Sequence, residues 1–229
     1  MKKLFASIVV SILCISVFGQ HEIGLKLNSG LSYLNTKAGL KIDNQKNKFQ
    51  YSGQGGFYYN VALPKKFMFG AEVLFMQIEG KDYTKIMFTD NLGNQTGEYG
   101  IDIVHWNISY LGIPVYIGYR IKRFDISLGF QINFALTSSG TEKGYGISSG
   151  KSFLYKNVYK KLNIDSYDFG PRIGLIYRLP KRLSLEANYY YGLNNILKTH
   201  FGNWKWKVQQ FTVGLRVQLF DLGRLKKKE

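Results

Sequence analysis

The sequence predicts an all-β protein, an eight-stranded antiparallel up-and-down transmembrane β-barrel, on three observations. Residues 124–137 alternate: Phe124, Ile126, Leu128, Phe130, Ile132, Phe134 and Leu136 share one face, and Asp125, Ser127, Gly129, Gln131, Asn133 and Ala135 the other. A period of two marks a strand with unlike faces, and this one exceeds the ~5–6 residues usual in globular sheets. Its polar face is small and hydrogen-bonding, as suits the inside of a barrel rather than a solvated surface. The pattern then recurs about eight times along the chain, each time long enough for the ~9–11 residues that cross a bilayer. Finally, the connections alternate long and short, the rhythm of an even-stranded barrel with short periplasmic turns and long outer loops.

Residues 1–19 read as a secretory signal peptide: Lys2 and Lys3 precede an apolar run, and Val17-Phe18-Gly19 offers small residues before Gln20. Residues 20–229 then form the outer-membrane β-barrel domain. Cleavage would remove Cys14, the sole cysteine, which excludes disulfides, a thiolate nucleophile and cysteine zinc sites. No later segment approaches the ~18 apolar residues of a spanning helix. A chain that is 45% hydrophobic and 16% aromatic, and is exported, can then enter a membrane only as a closed sheet.

The first strand (22–34) turns Ile23, Leu25, Leu27, Leu31 and Tyr33 outward and Gly24, Lys26, Asn28, Gly30 and Ser32 inward. The second (50–63) sends out Phe57, Tyr59, Val61 and Leu63 and turns Gln54, Gly56, Tyr58 and Asn60 in. After the tight turn Pro64-Lys65-Lys66, the third places Phe67, Phe69, Val73 and Phe75 outside, with Gly70 and Glu72 behind them. Residues 80–102, rich in Asn, Gly, Asp and Thr, read as loop. The fourth strand ends in Tyr110-Leu-Gly-Ile-Pro-Val-Tyr-Ile-Gly-Tyr119, and Pro114 predicts a bulge or break in its ladder. The fifth is 124–137, and residues 138–166 read as the longest loop. The sixth (167–179) turns Arg172 and Arg178 inward. Pro180-Lys181-Arg182 leads to the seventh (183–193), with Glu186 and Asn188 inward, and the eighth (208–220) carries Arg216 inward. Three-residue turns at Pro64 and Pro180 put Tyr58 opposite Glu72 and Leu179 opposite Leu183. A soluble barrel of opposite sense would expose the Gly/Asn/Ser/Gln face, too thin in charge for a solvated surface. Aromatic residues near the strand ends also form the girdles expected at membrane interfaces.

Three stretches resemble the PorT-like outer-membrane β-barrel family of Bacteroidota: Tyr110-Leu-Gly-Ile-Pro-Val-Tyr, Phe169-Gly-Pro-Arg-Ile-Gly-Leu, and Leu185-Glu-Ala-Asn-Tyr-Tyr-Tyr-Gly-Leu-Asn-Asn-Ile. The sequence departs from the family pattern at Gly112 and Asn188. The resemblance implies outer-membrane location and barrel architecture; for one branch of that family it also implies a part in type IX protein secretion.

The inward ionisable residues predict a polar network filling the lumen, with Tyr58, Glu72, Arg172, Arg178, Glu186 and Arg216 as its members and Glu186 diagonal to Arg178. Lys26, Asp125 and Asp168 also face inward. Without Lys2 and Lys3 the formal charge of +16 becomes +14, and its basic residues divide between a periplasmic rim (Lys65, Lys66, Arg120, Lys122, Arg123, Lys181, Arg182, Arg224 and Lys226 to Lys228) and the outer loops. A charge split between two membrane faces argues against nucleic acid. In the loops, Lys156, Lys160, Lys161, Trp204, Lys205 and Trp206 are candidate binding residues for lipopolysaccharide phosphates or an acidic protein partner. No cofactor is expected, and no His or acidic cluster has metal spacing. His105 has Asp102 and Ser109 near it in sequence, but Ser109 lies ~13 Å along the strand, so no catalytic residue is assigned. The expectation is a monomeric, non-enzymatic structural or interaction protein acting through its outer loops. The alternatives are a narrow small-solute channel and a secretion accessory factor.

Overall fold

The computed structural model describes residues 20–37, 45–89, 95–148, 151–198 and 205–222. The expected signal peptide, Trp204, His200 and the lysine-rich end lie outside them. The described chain forms ten strands: β1 (Gln20–Lys37), β2 (Gln45–Lys48), β3 (Gln50–Ala62), β4 (Phe67–Thr89), β5 (Gln95–Ile121), β6 (Phe124–Ser148), β7 (Lys151–Tyr159), β8 (Tyr167–Arg178), β9 (Leu183–Tyr191) and β10 (Lys205–Leu222). Eight are barrel staves, in the order β4-β3-β1-β10-β9-β8-β6-β5, and pairing of β4 with β5 closes the ring. Every neighbour is antiparallel, including the first and last staves, where Leu25 faces Val217 and Leu31 faces Phe211. The expected registers hold at the short turns: Tyr58 lies opposite Glu72, and the Leu179 amide donates to the Leu183 carbonyl at 2.9 Å.

Alternation divides the two faces as expected in the wall. Leu27, Phe57, Phe75, Ile117, Leu128, Phe130, Ile173 and Leu215 are exposed on the outside, while Lys26, Gln54, Glu72, Asp125, Gln131, Asn133 and Arg216 are buried inside. Lipid wets the first set, so their exposure costs nothing there, and the closed ladder leaves no stave edge in the hydrocarbon.

Two expected loops are instead sheet. β4 and β5 run on through residues 80–89 and 95–102 as one hairpin, with Asp82 opposite Val104 and Lys85 opposite Ile101. β6 continues to Ser148 and pairs with β7, Tyr145 facing Leu154. At 27 residues, β5 would extend about 90 Å at ~3.4 Å per residue, far beyond the span of a bilayer. β2, β4, β5, β6 and β7 therefore build a sheet that projects from the outer mouth. Glycine and asparagine clusters signal turns only when nothing pairs with them, and here each strand has a partner to complete its ladder.

Pro114 stays in register opposite Gln131, and the irregularity falls upstream between Ser109 and Tyr110. There β6 carries one extra residue, so its outward parity passes from even to odd numbers: Phe134 pairs with Leu111, but Thr137 pairs with Ser109.

The short turns contain consecutive left-handed residues, Lys65 and Lys66 (φ 57° and 68°) and Lys181 and Arg182 (φ 62° and 66°). The twist of a tight hairpin asks for this conformation, which disfavours any residue with a Cβ by ~1–2 kcal/mol. Lys66→Gly should therefore stabilise the barrel by about 1 kcal/mol, and Lys66→Val should destabilise it by a similar amount. Urea unfolding in lipid vesicles, followed by tryptophan fluorescence, measures both.

Candidate functional site

Inside the ring, side chains stack in three layers. The middle layer is ionic. Lys26 of β1, Glu72 of β4, Arg172 of β8, Glu186 of β9 and Arg216 of β10 all point to the axis and are at most 4% exposed. Lys26 Nζ lies 3.0 Å from Glu72 and also pairs with Glu186. Arg172 reaches Glu72 at 3.2 Å and donates to Asn188 Oδ1 at 2.7 Å. Arg216 bridges both carboxylates, through Nη2 to Glu72 and Nε to Glu186. It also donates to the Tyr116 hydroxyl at 3.2 Å, which donates onward to Asn60 Oδ1 at 2.8 Å. The guanidinium lies 4.7 Å from the Tyr58 ring centre, a cation–π contact. Gly70 makes room for Tyr116, since a Cβ there would lie 2.3 Å from the ring.

The periplasmic layer is separate. Arg178 forms a two-pronged contact to Glu22 (2.8 and 3.0 Å) and donates to Asp125 at 2.8 Å, and Arg120 donates to the other Asp125 oxygen at 2.8 Å. The register keeps Glu186 on the diagonal from Arg178, as expected, but Arg178 turns to Glu22 and Asp125 instead, and Glu186 to Lys26 and Arg216. Arg178 pairs across the ladder with Ser184, and Glu186 sits opposite Ile176, one layer higher. Of the expected network, Tyr58, Glu72, Arg172, Glu186 and Arg216 come together; Lys26 completes them, and Arg178 belongs to the rim.

The outer layer is apolar, which the alternation reading did not anticipate. Leu74, Met76, Ile78, Ile108, Tyr110, Trp206 and Val208 are buried inside the barrel, joined by Leu162, Ile164 and Ile196 from the connections after β7 and β9. These two connections bond to one another and to the wall: the Asp165 amide donates to Ile196 (2.7 Å), Ala135 to Ser166 (2.8 Å) and Ile196 to Trp206 (3.0 Å). Trp206, expected as an exposed loop residue, is 5% exposed and packs on Trp106 with ring centres 4.4 Å apart. The signal was present in the sequence, because Val73-Leu-Phe-Met76 is apolar on both faces. Just beneath this layer, buried Asp168 accepts from the Tyr190 hydroxyl at 2.7 Å.

The expected loop-binding residues do not form one site. Lys160 and Lys161 line a cavity of about 490 Å³ with Lys198, Ser138 and Thr137, beside the strap at 160–166. Lys156 points outward from β7, opposite Lys143. Lys205 pairs with Lys37 on the far side of the barrel. His105 is exposed on the outward face, where partial burial and then nearby Lys81 hold its imidazole below the ordinary pKa. Asp102 faces the other way and accepts from Tyr155 at 2.6 Å, so the His105–Asp102–Ser109 grouping is not assembled. Burial and then that Asp102 contact push the Tyr155 phenol well above its ordinary pKa.

A closed ring with lipid outside and charge within is the architecture of an outer-membrane barrel, and the sequence comparison agrees. Residues 18–198 match the family described as outer membrane protein beta-barrel domain. The chain belongs to this family. As an outer membrane β-barrel protein it resides in the outer membrane, with the short turns on the periplasmic side. Among solved structures it is similar to Neisserial surface protein A, at 9% identity and TM-score 0.41 over 86% of this chain and 97% of that one. Similarity also extends to Ail of Yersinia pestis, at 14% identity and TM-score 0.35 over 88% and 99%. The outer membrane protease OmpT of Escherichia coli aligns at 7% identity and TM-score 0.41 over 87% and 97%. No curated protein matches the sequence.

Removing one partner from a buried, mutually bonded ion cluster leaves uncompensated charge and costs ~3–5 kcal/mol. Arg216→Met should lower unfolding free energy by that amount, whereas Arg178→Met, at the half-open rim, should cost clearly less. Urea titration of both variants in lipid vesicles tests the ranking.

Proposed function

We propose that this outer membrane β-barrel is a monomeric, non-enzymatic interaction protein that works through its projecting outer sheet rather than by passing solute. The observation that carries this reading is the filled lumen. A solute entering from outside meets the apolar layer around Trp106 and Trp206, then the ionic layer in which each carboxylate is held by at least two cations, then the Arg178–Glu22–Asp125 rim. Opening a path would expose groups that now satisfy one another, and the connections at 162–166 and 193–198 would have to leave the mouth. The outer sheet, by contrast, offers two broad faces and open edges to the surroundings.

A channel is the competing reading, and a secretion accessory role is a third that rests on the PorT-like stretches. Tyr110 and Tyr116 of the first stretch, Arg172 of the second and Glu186, Asn188 and Tyr190 of the third all have packing or pairing tasks inside the wall. They account for architecture and leave the partner open. Reconstituted into planar bilayers, the wild-type protein should show no resolved openings. Discrete, reproducible conductance steps from the purified chain would overturn the filled-lumen reading, and loss of cargo secretion on deletion of the gene would favour the accessory role.

A further inference from the structure

The projecting sheet is sorted by charge. Registers across β2, β4, β5, β6 and β7 place Lys48, Lys81, His105, Thr141 and Val158 in one outward row, and Lys46, Tyr83, Ile103, Lys143 and Lys156 in the next. Lys85, Ile101, Tyr145 and Leu154 make the row beyond. The opposite face carries Asp82, Glu98, Asp102 and Glu142. There Tyr155 and Tyr159 donate to Glu142 and Trp106 donates to Asp82 at 3.2 Å, while Gly144 clears space for the Tyr155 ring. Alternation thus puts Asp82, Glu98, Asp102 and Glu142 on one side and Lys46, Lys48, Lys81, Lys85, Lys143 and Lys156 on the other, with Glu79 at the base of the lysine face and Lys151 on the acidic side.

The basic face continues the lipid-facing wall upward. Phe75 and Leu111 end the apolar band, Gln77, Ser109 and Thr137 follow, then Glu79, Asn107 and Ser139, and then the lysine rows. Three such steps cover six residues, ~20 Å along the strand and about 15 Å along the barrel axis at a strand tilt of ~40°. Lys46, Lys48, Lys81, Lys85, Lys143 and Lys156 therefore stand above the hydrocarbon, on the side that the surrounding lipid headgroups flank. Tyr83 lies beneath Lys48 and Lys81, with Nζ atoms 4.8 and 5.9 Å from its ring, and Tyr145 and Leu154 are exposed among them.

We propose that this face is a binding surface for the phosphorylated headgroups of the outer-leaflet glycolipid, lipopolysaccharide. The lysines meet its phosphates and the Tyr and Leu side chains rest against its sugars. The proposal rests on the reading that the outer sheet is the working part of the protein. It assigns Lys156 to the surface and leaves Lys160 and Lys161 to the separate cavity.

The test uses the full chain in neutral detergent micelles, titrated by native mass spectrometry with rough-type lipopolysaccharide and with the same lipid stripped of phosphate. Phosphorylated lipid should bind, weakening with added salt, and the stripped lipid should bind at least about tenfold more weakly. Lys81→Glu/Lys143→Glu/Lys156→Glu should lose at least about tenfold in affinity, since each surface lysine near anionic lipid contributes roughly a fivefold step. Lys65→Glu/Lys66→Glu/Lys181→Glu, with the same net charge change at the periplasmic turns, should bind as wild type. Heat-modifiable migration on gels reports whether each variant is folded. If the outer triple variant does not fold, Lys81→Gln/Lys143→Gln/Lys156→Gln carries the comparison with a smaller expected loss. Equal binding of stripped lipid, wild-type affinity in the folded outer variant, equal loss in the rim variant, or poly-glutamate bound as tightly as lipopolysaccharide would each overturn the proposal. None of these results requires a conducting pore, so they are separable from failure of the filled-lumen reading.

Discussion

A backbone amide in hydrocarbon has no water to turn to, and the architecture follows from that deprivation. One neighbour satisfies only half of a stave's backbone groups, so the sheet must return on itself, and it does so where the first stave, β1, meets the last, β10. Closure with eight strands leaves a bore just wide enough for side chains. The interior must then be filled by groups that suit one another, and this chain does it with rim ion pairs, a central ionic cluster and an apolar cap. The glycines and small polar residues of the inner face are the spaces into which Tyr58, Tyr116 and the two central arginines fit.

The wall was legible because lipid enforces a strict rule on every second residue. Residues 124–136 display that rule, and the Pro64 and Pro180 turns transmit it without slippage to the next stave. Above the bilayer the rule lapses. Residues 80–89, 95–102, 138–148 and 151–159 are sheet, yet their outward positions mix Lys, Tyr, Thr and Ile, and their inward ones mix Gly with acids. A composition rich in Gly, Asp and Thr resembles loop when only its own residues are considered; the pairing that makes it sheet comes from strands far away in sequence. The extra residue of β6 beside Ser109 and Tyr110 reverses parity midway along a strand, and alternation read in a straight line passes over it.

The central cluster was partly legible for the same reason. Inward parity picks out Glu72, Arg172, Glu186 and Arg216, but height along the axis depends on register and stagger across staves. That is why Arg178 descends to Glu22 and Asp125 while Lys26 takes its place. Trp206 shows the converse difficulty: a tryptophan among lysines resembles an interfacial anchor, and only the strap from 160 to 166 and Ile196 reveals that it caps a core.

The central cluster also joins parts of the chain that are made far apart in time. Lys26 belongs to the first stave and Arg216 to the last, and the two lie directly opposite each other across the β1–β10 seam, held together by Glu72 and Glu186. Like charges face one another at that join and tolerate it only because both acids arrive between them. An unsealed barrel would hold two acids and the first lysine without the residue that straddles them. Sealing the cylinder and settling its internal electrostatics are therefore one event, and the seam works as a clasp whose tongue is the final strand.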